Sequence, residues 1–351
     1  MRYIQYLLEI LLIVAALCCG HSTESSNDNW KSLGFLDKFA IRLVLSEPYL
    51  YVCAGSDGLW RLDISTKSSI NWEYMGLADT SLGDYLNRGV LDVVPNLSDP
   101  NTMIVAYATG KAVDHGVFKS EDGGITWVPS DSGMEVELND EIYYSHPHKF
   151  IKYPSQIVSS GTQIFSSDDF GKSWINKGIV WGPVTGVATN ALKYHPKKTS
   201  NIWIGGESVY FGPILLFSLD TGNSWDFVDL GKIIPVDNAV FSIAFDPEDE
   251  NIIYVGMQGA IIKSNDGGQS WIVPLFTNGN GNNFRAIESD PQNQNHLWAS
   301  SGSTIVEPID GGITWKEIPS PIEFKVLDML WDDMARSLYL ATEHGIYLFR
   351  R

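Results

Sequence analysis

The octapeptide SEDGGITW at residues 120–127 returns four times, as SDDFGKSW (167–174), SLDTGNSW (218–225), SNDGGQSW (264–271) and PIDGGITW (308–315). The common frame is Ser-x-Asp-x-Gly-x-Ser/Thr-Trp, and its tryptophans (Trp127, Trp174, Trp225, Trp271, Trp315) fall 44 to 51 residues apart. A period of this size marks a chain built from one supersecondary unit copied in series. Within a unit such as FSIAFDPEDENIIYVGMQGAIIKSNDGGQSWIVPLF, turn residues separate four short apolar runs. That is the pattern of a four-stranded β-meander. One such sheet cannot bury both of its faces, whereas copies arranged around an axis can, which predicts a β-propeller.

Two degenerate units flank the five clear ones. Residues 49–77 keep the second and third strands and Trp72 but have lost the box, and residues 326–351 supply three strands and stop short of one. The missing fourth strand is expected from NWKSLGFL (29–36), with Trp30 standing where a box tryptophan would be. The expected fold is therefore all-β, a seven-bladed propeller with its ring closed by an N-terminal strand in the last blade, which also removes free sheet edges.

The box invites reading as a metal or catalytic site, but five copies argue for a structural part. Its Asp can accept backbone hydrogen bonds within its own turn, its Gly adopts a conformation other residues resist, and its Trp buries a large ring. The frame resembles the Asp-box, or bacterial neuraminidase repeat. That resemblance implies that Asp122, Asp169, Asp220, Asp266 and Asp310, with their five tryptophans, brace hairpins on the face opposite the ligand site. Proteins with this repeat include sialidases, xyloglucan-cleaving enzymes, sortilin-type receptors and photosystem-assembly propellers. The sialidase Arg-Ile-Pro is absent, the nearest stretch being AIRLVLSEP (40–48), and seven units exceed the sialidase six. Xyloglucanases of this type place their cleft between two propellers, and only one is present here. The resemblance thus specifies fold better than function.

Charge narrows the partners. With 24 basic against 42 acidic residues the net charge is −18. This excludes a nucleic-acid backbone as the main partner, and a membrane is expected only through an anchor. Residues 1–20 contain YLLEILLIVAALCCG and read as a signal peptide, with Cys18 and Cys19 as lipidation candidates. Residues 21–28 form a polar tether, and 29–351 a single propeller domain. Only Cys53 remains in that domain, so stability must come from packing, and export is expected to the periplasm, the cell surface or the medium.

The ligand site is expected on the face built from loops that lead into the innermost strands. Basic residues recur where those strands begin: Lys38 and Arg42, Arg88, Lys149, Arg285 and Lys325, in a chain with only eight arginines. Their convergence would suit a carboxylate- or sulfate-bearing ligand. The loop 134–150 adds Glu135, Glu137, Asp140, Glu141, Tyr143, Tyr144, His146 and His148; Tyr143, Tyr144, Trp181, Tyr210 and Phe211 could stack on sugar rings. His146-Pro147-His148 is too sparse for a metal, and no metal or cofactor is expected. The reading is an exported monomeric binding or scaffold module for a glycan or an extracytoplasmic protein. A glycoside hydrolase or lyase acting on a polysaccharide is the alternative.

Overall fold

Seven antiparallel four-stranded sheets follow one another along the chain in this computed structural model. It describes residues 29–351 except 67, 68, 84, 112, 113, 139, 154, 155, 162, 178–186, 209, 210, 235–238 and 278–282. The innermost strands of blades 1 to 7 are Arg42–Ser46, Gly89–Pro95, Lys149–Tyr153, Val187–Tyr194, Val240–Phe245, Ile287–Ser289 and Val326–Asp332. Neighbouring innermost strands pack on one another around a central channel. The fold is the seven-bladed propeller that the repeat predicts.

Ring closure is as the sequence implies. Trp30–Ser32 pairs with Gly345–Arg350 in the register Trp30 to Phe349, Lys31 to Leu348 and Ser32 to Tyr347, completing blade 7. Trp30 is a box tryptophan in position as well as in name. Its Nε1–H donates to the Pro319 carbonyl across the seam with blade 6, at 3.0 Å. Trp72 reaches Leu33 in blade 7, Trp127 reaches Met75 in blade 1, and Trp174 reaches Ser130 in blade 2, all at 2.8–2.9 Å. Four successive seams thus carry one indole-to-carbonyl staple each. Beyond them the pattern lapses: Trp225 and Trp271 donate to glycines of their own turns, and the Trp315 Nε1 has no partner among the described residues.

The boxes are self-contained hydrogen-bond knots. In blade 2, Asp122 Oδ1 accepts from the amides of Ile125 and Thr126, and Oδ2 from the Thr126 hydroxyl. The Ser120 hydroxyl donates to Asp122 and accepts from the Gly124 amide. Asp169, Asp220 and Asp266 repeat this arrangement, while Asp310, with Pro308 in place of the serine, keeps the bond from the Thr314 amide. The last box glycine has φ near +90°, as Gly124, Gly268 and Gly312 show, and at Gly124 a Cβ would meet Met75 at 2.8 Å. Threonine or serine hydroxyls, then backbone amides, hold Asp122, Asp220 and Asp266 down at about 2.

The core lies between blades. Trp298 stacks on Trp331 at 4.8 Å where blades 6 and 7 meet, and Trp203 packs with Phe245 between blades 4 and 5. One expectation is refined: Glu135–Leu138 and Glu141–Tyr144, read as a loop, form an extra two-stranded hairpin between blades 2 and 3.

Candidate functional site

β-Bulges shape the channel. The register of the innermost strand slips at Leu91, Asn190, Phe241 and Leu327 in blades 2, 4, 5 and 7, and all four residues line one cavity of about 220 Å3. A bulge re-aims the residues beside it, so that an acid can turn towards the axis from an otherwise apolar strand. Asp92 and Asp328 follow two of these bulges. Asp92 Oδ2 accepts the Phe150 amide of blade 3, and Asp328 Oδ2 accepts the Leu43 amide of blade 1, each at 2.9 Å. Between them lies Arg42, with Nε 3.4 Å from Asp92 and a terminal nitrogen 3.4 Å from Asp328. Burial opposes the Arg42 charge, while Asp328 and then Asp92 more than offset it and hold the guanidinium ionised. The Arg42 Nε is buried without a hydrogen-bond partner of proper geometry.

Every blade contributes to the cavity wall. Its charged lining consists of Arg42, Lys149, Lys193 and Arg285 against Glu288 and Asp328, with Asp92 on Arg42 directly behind, so that cations still outnumber carboxylates where the whole chain has acids in excess. Lys193 lies 3.6 Å from Glu288. Neither Lys149 nor Arg285 is ion-paired among the described residues; the Arg285 guanidinium lies 4.6 Å from the centre of the Phe241 ring. Burial, reinforced by Arg42, draws the Lys149 ammonium below the usual lysine range, and burial likewise lowers Arg285. Burial raises Glu288 and keeps His148 below its ordinary value. The cavity is a pocket with surplus positive charge and the neutral donors Asn87, Asn190 and Ser242 on its wall.

The structure places the sequence candidates in three groups. Lys149, Arg285 and His148 line the cavity together. Arg88 stands beside the lining residues Leu86 and Asn87, its guanidinium 4.5 Å from the Tyr85 ring centre and bonded to the Leu82 carbonyl. Lys325 is instead paired with Glu343 at 3.2 Å, and Lys38 with Asp57 at 2.8 Å. Tyr143 and Tyr144 belong to the extra hairpin, where Tyr144 packs 4.3 Å from His115, itself held by Asp131. Trp181 and Tyr210 lie outside the described residues. Sequence reasoning did not reach Asp92, Asp328, Lys193 and Glu288. A usable signal existed in the repeated Val-Leu-Asp at 90–92 and 326–328, an acid inside an apolar strand at the same place in two units.

Fold and channel together define a seven-bladed β-propeller with a cationic axial pocket. The sequence matches no protein-family model and no curated protein. Among solved structures it is similar to YCF48 from Cyanidioschyzon merolae, with a TM-score of 0.65, 13% identity, and 92% of this chain and 99% of that one covered. The extracellular domain assigned to a one-component system of B. thetaiotaomicron gives a TM-score of 0.65 at 10% identity, with 93% and 40% covered. The GH74 xyloglucanase from Xanthomonas campestris gives 0.64 at 16%, with 91% and 53% covered. The chain therefore spans about half or less of the latter two. At these identities the likeness is one of fold.

Proposed function

We propose that this protein is an exported binding module whose channel mouth takes an anionic group, a carboxylate or sulfate on a glycan or on an extracytoplasmic protein. The observation that carries this is the pair Lys149 and Arg285, half-buried in one cavity and without an ion pair among the described residues. Partly desolvated cations without partners carry a cost that an anionic ligand would relieve. YCF48 has also been solved bound to D1 peptide, and other neighbours are extracellular domains, which supports a binding role outside the cytoplasm.

Glycoside hydrolysis is the second reading, favoured by Glu288, whose carboxyl is pushed up by burial, and by Asp328 across the same cavity. Two carboxyls on one cavity could serve as acid and base. Asp328, however, already accepts from Arg42 and from the Leu43 amide. A glycan and acidic-peptide array, run beside an assay for released reducing ends, separates the readings. Binding confined to anionic probes without release supports the module. Release of sugar ends that is lost in Glu288→Gln supports the hydrolase.

A further inference from the structure

The five most exposed large apolar side chains among the described residues are Ile125, Met334, Leu97, Ile313 and Ile309, at 62 to 83% of full exposure. All five stand on one face. Leu97 and Met334 occupy the turns that follow the innermost strands of blades 2 and 7, and the isoleucines belong to the boxes of blades 2 and 6. Those turns and boxes share a face because box amides donate to the turns: Gly123 to the Asn101 carbonyl and Gly267 to that of Asn251, at 2.9 Å. On blades 3 and 4 the same face shows Lys172, Lys197, Lys198 and Asn223, with Tyr153 and Leu219 as apolar exceptions.

Arginines gather at one end of the apolar arc, among the exposed carboxylates Glu121, Asp122, Asp310 and Asp333. Ser337 pairs with Arg350, so Arg336 and Arg351 emerge at the same end of blade 7, beside Met334. Three of the chain's eight arginines are therefore in one place on a protein of charge −18. Arg351 is shared with Asp290, while Arg336 and Arg350 form no ion pair among the described residues. The N-terminal segment begins here too, because the Arg350 amide donates to the Asn29 carbonyl at 2.8 Å. Upstream of Asn29 the sequence carries the apolar YLLEILLIVAALCC. Cys19 is ten residues away, a reach of at most about 36 Å when fully extended.

We infer that this box-face arc, running from blade 6 through blades 7 and 1 to blade 2, is a docking surface for a phospholipid bilayer to which the chain attaches through its N-terminal segment. A single anchor gives marginal attachment and needs a second signal, for which protruding apolar side chains flanked by arginines are suited. Docked in this way, the propeller presents its cationic mouth on the side away from the membrane.

The test is hydroxyl-radical footprinting of the full-length chain, free and on phosphatidylcholine vesicles containing a minority of phosphatidylglycerol. Met334, Ile309 and Ile313 should lose reactivity several-fold on vesicles, while Tyr85 and Phe324, on the loops of the opposite face, keep theirs. In Met334→Glu/Arg336→Glu, with an unchanged melting temperature, the protection should vanish although the chain stays vesicle-bound. Unchanged reactivity of Met334, protection of Tyr85 instead, protection that grows with protein density on the vesicle (a second copy), or a chain that ignores vesicles would each overturn the inference. No ligand enters the assay, so its outcome is independent of the channel reading.

Discussion

Single residues divide here into those that hold the fold and those that strain it. The box aspartates stabilise it. With their pKa values depressed to about 2, their contribution is fully present above the unfolded value of 3.8 and is lost as pH falls towards 2. Acid unfolding of Asp266→Asn should therefore show a shallower loss of stability between those values than the parent, with ligand binding at neutral pH unchanged. An acid limb identical to the parent's would remove the box aspartate from the stability account. Lys149 works in the opposite direction. Its folded pKa is lowered, so the folded state gives up its proton before the unfolded chain does, and stability rises with pH through that window. At neutral pH the charge is a net cost, and Lys149→Met should raise the melting temperature by about 1–3 °C. The same change should abolish anion binding, a trade of stability against function common at binding sites. A Lys149→Met protein that melts lower would show that the ammonium is structural.

At the level of strands and hairpins, the indole staples set the order of seams. Trp72→Phe removes a bond between blades and should cost about 0.5–1.5 kcal/mol, while Trp315→Phe, which removes a donor without a partner, should cost close to nothing. Urea titrations of the two variants check this, and equal losses would mean that ring packing, not the bond, holds the seams. These elements also show what a sequence can convey. Hairpin chemistry is local: a Ser, an Asp, a Gly and a Trp within eight residues carry their own turn, so the blades can be counted from the amino acids alone. Even Trp30 can be assigned, because the closing strand repeats the box tryptophan. The channel is another matter. Arg42 meets Asp328 across 286 positions, and both carboxylates take their direction from bulges that no periodicity announces. Basic residues at the inner strand starts are legible in the sequence. That Lys325 finds Glu343 nearby, while Lys149 and Arg285 pair with no described carboxylate, is not.

For the molecule as a whole, the ring and its channel form one object, since Arg42 ties blades 2 and 7 to blade 1 at the axis while Trp30–Ser32 ties the chain's two ends at the rim. Deleting Asn29–Leu36 should leave the Gly345–Arg350 edge unpaired and provoke aggregation. A deletion variant that stays monomeric with the parent's melting temperature would contradict closure by this strand. The central claim concerns the channel, a cationic pocket kept at the axis of an acidic protein to meet an anion. Calorimetric titration of the tightest array ligand into the parent and into Lys149→Gln/Arg285→Gln tests it most directly. Loss of charged hydrogen bonds worth about 1.5–3 kcal/mol each should weaken binding at least tenfold, and added salt should weaken the parent far more than the variant. Equal affinity of the two proteins, or a tight ligand without charge, would contradict the account.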